Sequence, residues 1–190
     1  MSRWEPNARG RLEDAALQLY SERGFDRTTV TEIAQRAGLT ERTFFRYFAD
    51  KREVLFRGDG ALEELVTRAV AEAGESVPPI DAVADGLRAF AELIRGRREH
   101  DRTRRQIIAA NPSLQERELI KMARLAAATS DALRRRGVGE PAASLTAEAA
   151  IAVFKVAFER WLTDGEDREL STVIDECLDE LKAVGRRGRR

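Results

Sequence analysis

The sequence predicts an all-α protein of about nine helices, and three observations carry that reading. Sustained polar–apolar alternation is missing, so half-buried strands have no signal. Ala, Leu, Glu and Arg dominate, and apolar residues recur at helical spacing along nearly the whole chain. The 190 residues are 43% hydrophobic and 35% charged, enough to bury a core in one or two domains. No run approaches the roughly 18 apolar residues of a membrane span. The opening Met-Ser-Arg-Trp-Glu-Pro-Asn lacks a signal-peptide stretch, so the cytoplasm is the expected compartment. With one cysteine, Cys177, and one histidine, His100, no disulfide framework, metal site or cofactor is expected.

The elements follow in order. Leu12, Ala15, Ala16, Leu19 and Tyr20 form a first stripe that stops at Gly24. Val30, Ile33, Ala34 and Ala37 form a short second one that stops at Gly38. Phe44, Phe45 and Phe48 anchor a third. A fourth helix is expected from Asp50 to about Ala73, with a kink or break at Gly58 and Gly60. Beyond Pro78-Pro79 the pattern predicts helices over 80–97 and 103–110, the latter ending at Asn111-Pro112. Further helices are expected over 114–135, closing at Gly137, over 145–162 after Pro141, and over 170–184. The expected domains are 1–50, 51–185 and a disordered basic tail, 186–190.

Equal numbers of basic and acidic side chains, 33 each, hide an uneven layout. Residues 1–57 carry 11 basic and 9 acidic groups, whereas residues 58–185 carry 18 and 24. A basic-leaning head on an acidic body points to a polyanion for the head.

Chemistry concentrates in Thr28 to Lys51. Thr29 with Glu32 spells a capping box, Asp50 with Glu53 its Asp variant, and Thr40 an N-cap between them. Gly38 can adopt the positive φ of a sharp turn, and small Ala34 allows close helix approach. Two short helices around a glycine turn form a helix-turn-helix. On the second, Phe44 and Phe48 should face inward with Leu39, which turns Glu41, Arg42, Arg46 and Tyr47 outward. Arg can bond guanine O6 and N7 together, and Glu can accept from cytosine N4. Thr28, Thr29, Thr43, Tyr47 and Lys51 offer short donors or a charge suited to phosphate.

These residues resemble the TetR/AcrR (tetracycline-repressor) family of bacterial transcriptional regulators. The resemblance rests on Gly24-Phe25, Thr28-Thr29-Val30, Glu32-Ile33-Ala34, Ala37-Gly38-Leu39, Thr43 to Phe48 and Asp50-Lys51, and covers residues 9–55 closely. It implies a three-helix DNA-binding head, a helical ligand-binding body, and a homodimer reading a palindromic double-stranded DNA operator. By position it carries base contacts over to Glu41, Arg42 and Arg46, and phosphate contacts to Thr28, Thr29, Thr43, Tyr47 and Lys51. Phe45 departs from the family's usual tyrosine, so a hydroxyl contact to the DNA backbone is missing.

The body is less informative. The 145–162 helix is apolar on more than one side, so it needs cover on two faces. That fits the family's pairing of its last two helices across a twofold axis; the alternative is a helix buried within a monomer. Phe158, Ile174, Leu178 and Leu181 are the candidate dimer residues. Phe90, Ile94, Ile107, Met122, Phe154 and Trp161 are candidate walls for an unknown small-molecule effector. The reading is a ligand-responsive regulator, a repressor by family tendency. The alternative is a small-molecule-binding or interaction protein with a vestigial head. An enzyme finds no support, since G-x-G-x-x-G, P-loop and G-x-S-x-G motifs are all missing. Because the fourth helix is expected to join head and body, Gly58 and Gly60 are candidate hinge residues within it.

Overall fold

The computed structural model describes residues 7–56, 59–165 and 168–187. Among these it contains nine α-helices, one 3₁₀ turn and no strand. No helix of the described residues is long and apolar enough to cross a membrane. The chain forms two compact units, residues 1–57 with 100–118, and residues 58–99 with 119–190.

The first unit holds α1 (Ala8–Arg23), α2 (Val30–Arg36), α3 (Glu41–Tyr47) and the 3₁₀ turn Glu53–Phe56. It also takes in most of α6 (Arg98–Ala109) and the start of α7 (Pro112–Arg135). Its core joins Leu12, Leu19, Ile33, Phe44 and Phe48 to Val54, Leu55 and Phe56, and then to Ile107, Ile108 and Leu114. The expected boundary at residue 50 is therefore corrected. Val54, Leu55 and Phe56 are apolar in succession, and a short turn lets all three sink into the same core.

The fourth helix is corrected for a related reason. Asp50 does not start it; its Oδ1 accepts the N–H groups of Arg52 (2.8 Å) and Glu53 (3.1 Å), which tightens the chain into a turn. Helix α4 proper is Asp59–Glu72, with Gly60 in its first turn. Gly58 lies outside the described residues, and so does its role as a hinge. Polar ties secure the late-arriving segment. The Arg104 guanidinium donates to the Leu55 carbonyl and lies 5.4 Å from the Phe56 ring centre, while Arg117 Nε donates to Glu53 at 2.7 Å.

The second unit contains α4, α5 (Pro79–Leu93), the rest of α7, α8 (Ala142–Thr163) and α9 (Leu170–Arg187). Helices α4 and α5 pack at Gly86: a Cβ there would sit 2.5 Å from the Val66 Cα, so only glycine allows this approach. Val66, Val70, Leu87 and Ile174 are fully buried around it. Arg88 bonds Asp175 at 2.7 Å and Lys182 bonds Asp81 at 2.6 Å, which ties α5 to α9. Helix α9 runs on through Arg187, so the expected basic tail begins inside a helix; residues 188–190 lie outside the described residues.

Candidate DNA interface

Helices α2 and α3 have seven residues each, too short to persist alone, so their ends must specify them. At α2 the full capping box forms. The Thr29 hydroxyl accepts from Glu32 N at 3.2 Å, and the Glu32 carboxylate accepts from Thr29 N at 2.9 Å. Those bonds, first to the Thr29 backbone and then to its hydroxyl, hold the Glu32 carboxyl below the usual range, with Arg23 adding to the effect. Gly38 makes the turn at φ 66°, and the Arg11 side chain caps the end of α2 by donating to the Ala37 carbonyl. Thr40 starts α3 by accepting from Thr43 N at 3.2 Å. Phe44 and Phe48 are buried as the spacing predicts, their ring centres 5.4 Å apart.

Glu41, Arg42, Arg46 and Tyr47 are all exposed on α3. Arg42 makes no ion pair among the described residues. Arg46 stacks over the Tyr47 ring at 4.9 Å and donates to its hydroxyl at 3.2 Å, which stiffens both long side chains before any ligand arrives. Phe45 is 55% exposed beside them, an apolar surface of the kind that fits a thymine methyl. Thr43 is half-buried, its hydroxyl 3.1 Å from that of Thr40.

Two of the predicted phosphate contacts are corrected. Thr28 is 1% exposed, and its hydroxyl donates to the Gly24 carbonyl at 2.9 Å. It closes the loop between α1 and α2 from inside. Lys51 turns its ammonium to three carbonyls of that loop, Phe25 (2.9 Å), Asp26 (3.2 Å) and Thr28 (2.9 Å), and sits 4.5 Å from the Phe25 ring centre. An ammonium has three donors, and all three are occupied. The Lys51 carbonyl in turn accepts from the Tyr20 hydroxyl at 2.6 Å; burial, aided by the nearby Asp50 charge, keeps that phenol well above its ordinary pKa. Lys51 thus fastens the end of the head to the loop that launches α2. Spacing alone could not reveal this, because the loop carbonyls carry no side-chain signal. Sequence reading also missed Thr31, whose hydroxyl donates to Glu41 at 2.5 Å across the two helices.

In the body, Phe90, Ile94, Phe154 and Trp161 lie in one core, with Met122 packed at its edge. Aromatic rings meet there in series, Phe90 edge-on to Phe154 at 5.9 Å, then tilted pairs of Phe154 with Phe158 at 5.7 Å and Phe158 with Trp161 at 5.6 Å. Ile107 is corrected: it is buried in the core of the first unit, the cluster that also holds Ile108 and Leu114. Two dimer candidates are corrected as well. Ile174 and Leu178 are buried in their own body, whereas Phe158, at the end of the ring series, is only half-buried and Leu181 is exposed. The exposed apolar side chains of α8 and α9 include Leu145, Ala152, Val156, Leu181 and Val184.

Comparison with known proteins agrees with this architecture. Residues 12–57 match the profile of bacterial regulatory proteins of the tetR family, and residues 77–185 match that of the MftR C-terminal domain. The chain is 37% identical over 89 residues to the HTH-type transcriptional regulator TcmR of Streptomyces glaucescens; the match spans 46% of this chain but only 38% of TcmR. It is 26% identical over 183 residues to MftR of Mycobacterium tuberculosis, named for transcriptional regulation of mycofactocin biosynthesis, covering 90% of this chain and 88% of MftR. In fold it resembles SmeT, the repressor of the Stenotrophomonas maltophilia multidrug efflux pump SmeDEF, with TM-score 0.62 at 22% identity over 93% of this chain and 89% of that one. A TetR-family regulator structure from Mesorhizobium loti covers 96% of this chain and 98% of its own, with TM-score 0.56 at 22% identity.

Proposed function

Since the chain belongs to the TetR family of bacterial regulatory proteins, we propose that it is a ligand-responsive repressor that binds a palindromic operator as a homodimer and is released by a small molecule. The observation that carries this reading is the outward face of α3. Arg42, Arg46 and Glu41 project from a helix whose two ends and inner face are all pinned. Such a helix can enter a major groove without paying to order itself. Two cationic side chains and one carboxylate then offer direct readout of base edges.

The homodimer is supported by the exposed apolar side chains Leu145, Ala152 and Val156 on α8 and Leu181 and Val184 on α9. A twofold pair reads two half-sites about 34–36 Å apart, one helical turn of DNA. The effector is supported by the aromatic series of the body and by the likeness to SmeT, which is known in complex with triclosan. An apolar ligand could separate those rings and shift the body between two arrangements.

Gel shifts with the DNA flanking the protein's own gene test the reading. Wild type should bind specifically, and Arg42→Ala with Arg46→Ala should abolish specificity while retaining weak, salt-sensitive binding. Val156→Glu should give folded monomers in sedimentation and lose operator affinity. A wild type that is monomeric at micromolar concentration would remove the dimer, and no specific shift with any flanking DNA would remove the repressor.

A further inference from the structure

We propose that Thr31 is a specificity-determining residue: by holding the Glu41 carboxylate it makes their paired side chains an acceptor-only edge that selects a base carrying an exocyclic amino group. The inference rests on the DNA-binding reading above and deepens it. Thr31 lies in the first turn of α2 and Glu41 in the first turn of α3, both exposed. The Thr31 hydroxyl donates to Glu41 Oε1 at 2.5 Å. This is a short, charge-assisted bond between the two helices of the motif.

The consequence follows from counting donors. A hydroxyl has one proton, and here the carboxylate takes it. The Thr31 oxygen is left with acceptor capacity alone, and ionised Glu41 has nothing but acceptors. The two paired side chains keep no donor between them, whereas Arg42 and Arg46 on the same helix present only donors. In the major groove cytosine offers N4–H and adenine N6–H, while guanine and thymine offer O6, N7 or O4 acceptors. The edge is therefore matched to cytosine or adenine on the strand it faces, and an opposed guanine or thymine oxygen meets a fixed negative charge. The same charge keeps the pair off the phosphates. Thr31 acts through its partner: without it the carboxylate would swing, and the preference would fade while the arginine-read positions stayed intact.

The test is selection from a library of operators randomised in both half-sites, for wild type, Thr31→Val and Glu41→Ala. Valine keeps the branched shape of threonine at an exposed site, so the fold is retained. Wild type should prefer an amino-bearing base by about tenfold at one position per half-site, within the ordinary range for a specific base contact. Thr31→Val should reduce that preference to about twofold, and Glu41→Ala with Thr31→Val should be no worse than Glu41→Ala alone, the signature of one shared interaction. Unchanged preference in Thr31→Val overturns the inference and leaves DNA binding standing. So does a uniform loss over all sequences with a shallower salt dependence, which would make Thr31 a phosphate contact. If wild type enriches no sequence, the DNA-binding reading falls and the inference falls with it.

Discussion

Helix α3 has seven residues and begins at a threonine whose side chain takes a backbone N–H; α8 has 22 and begins after Pro141 with no side-chain cap. The short helix presents a charged outer face, whereas the long one exposes Leu145, Ala152 and Val156 among the charges of Glu148, Lys155 and Glu159. Each is defined by a different kind of interaction. Directional hydrogen bonds specify α3, along with α2 and the Gly38 turn, because so few residues cannot form a stable helix by propagation. Burial specifies α8, whose inner face of Ile151, Phe154, Ala157 and Trp161 needs only to reach an apolar neighbour. A head built by directional bonds holds side chains at set angles for readout. A body built by non-directional packing can exchange one arrangement for another.

If that contrast holds, the largest effect of a single added methyl should be steric and in the body. Gly86→Ala places a Cβ against the Val66 backbone, which cannot rotate aside as a side chain would, so unfolding by urea should show a loss of about 3 kcal/mol. Gly60→Ala, where a Cβ meets nothing within 4 Å, should be neutral or slightly stabilising. Equal losses at the two glycines would contradict the close α4–α5 approach.

In the head the largest loss should come from a polar tie. Lys51→Met removes bonds to three carbonyls and should cost about 2 kcal/mol in urea unfolding. The salt dependence of DNA binding by the folded variant should match wild type, since the ammonium is already occupied. A salt slope lowered by about 1 would return Lys51 to the phosphates. Thr29→Ala, which deletes the α2 N-cap, should cost about 1 kcal/mol in the same measurement.

The smallest effect concerns pH. The folded Glu32 carboxyl is held below its unfolded value, chiefly by the Thr29 backbone N–H and hydroxyl. Its contribution is therefore present above the unfolded value of about 4.3 and is lost as pH falls through the lower folded one. Unfolding followed downward from pH 5 should show Thr29→Ala less sensitive to acid than wild type. An identical acid dependence in the two proteins would mean that the capping box does not govern this carboxylate.

How much was legible follows from where each signal lies. Thr29, Glu32, Gly38 and Thr40 announce the helix-turn-helix because caps and turns act within four residues of chain. The exposure of Arg42 and Arg46 follows from the burial of Phe44 and Phe48 on the same helix. The partner of Lys51 was not legible, because backbone carbonyls look alike in every sequence and only folding brings residues 25–28 beside residue 51. Ile107 was misplaced for the same reason: a buried isoleucine in an amphipathic helix shows that it faces a core, not which one.

By itself, then, the sequence determined what is local: helical class, helix ends, the turn, and which face of α3 is polar. Tertiary structure alone decided what is remote. It moved residues 100–118 into the core of the head, turned Thr28 and Lys51 inward, buried Ile174 and Leu178, and left Val156 and Leu181 outside. The physical reason is that capping bonds and periodicity depend on near neighbours in the chain. Burial depends on apolar area removed from water, whichever segment supplies the cover.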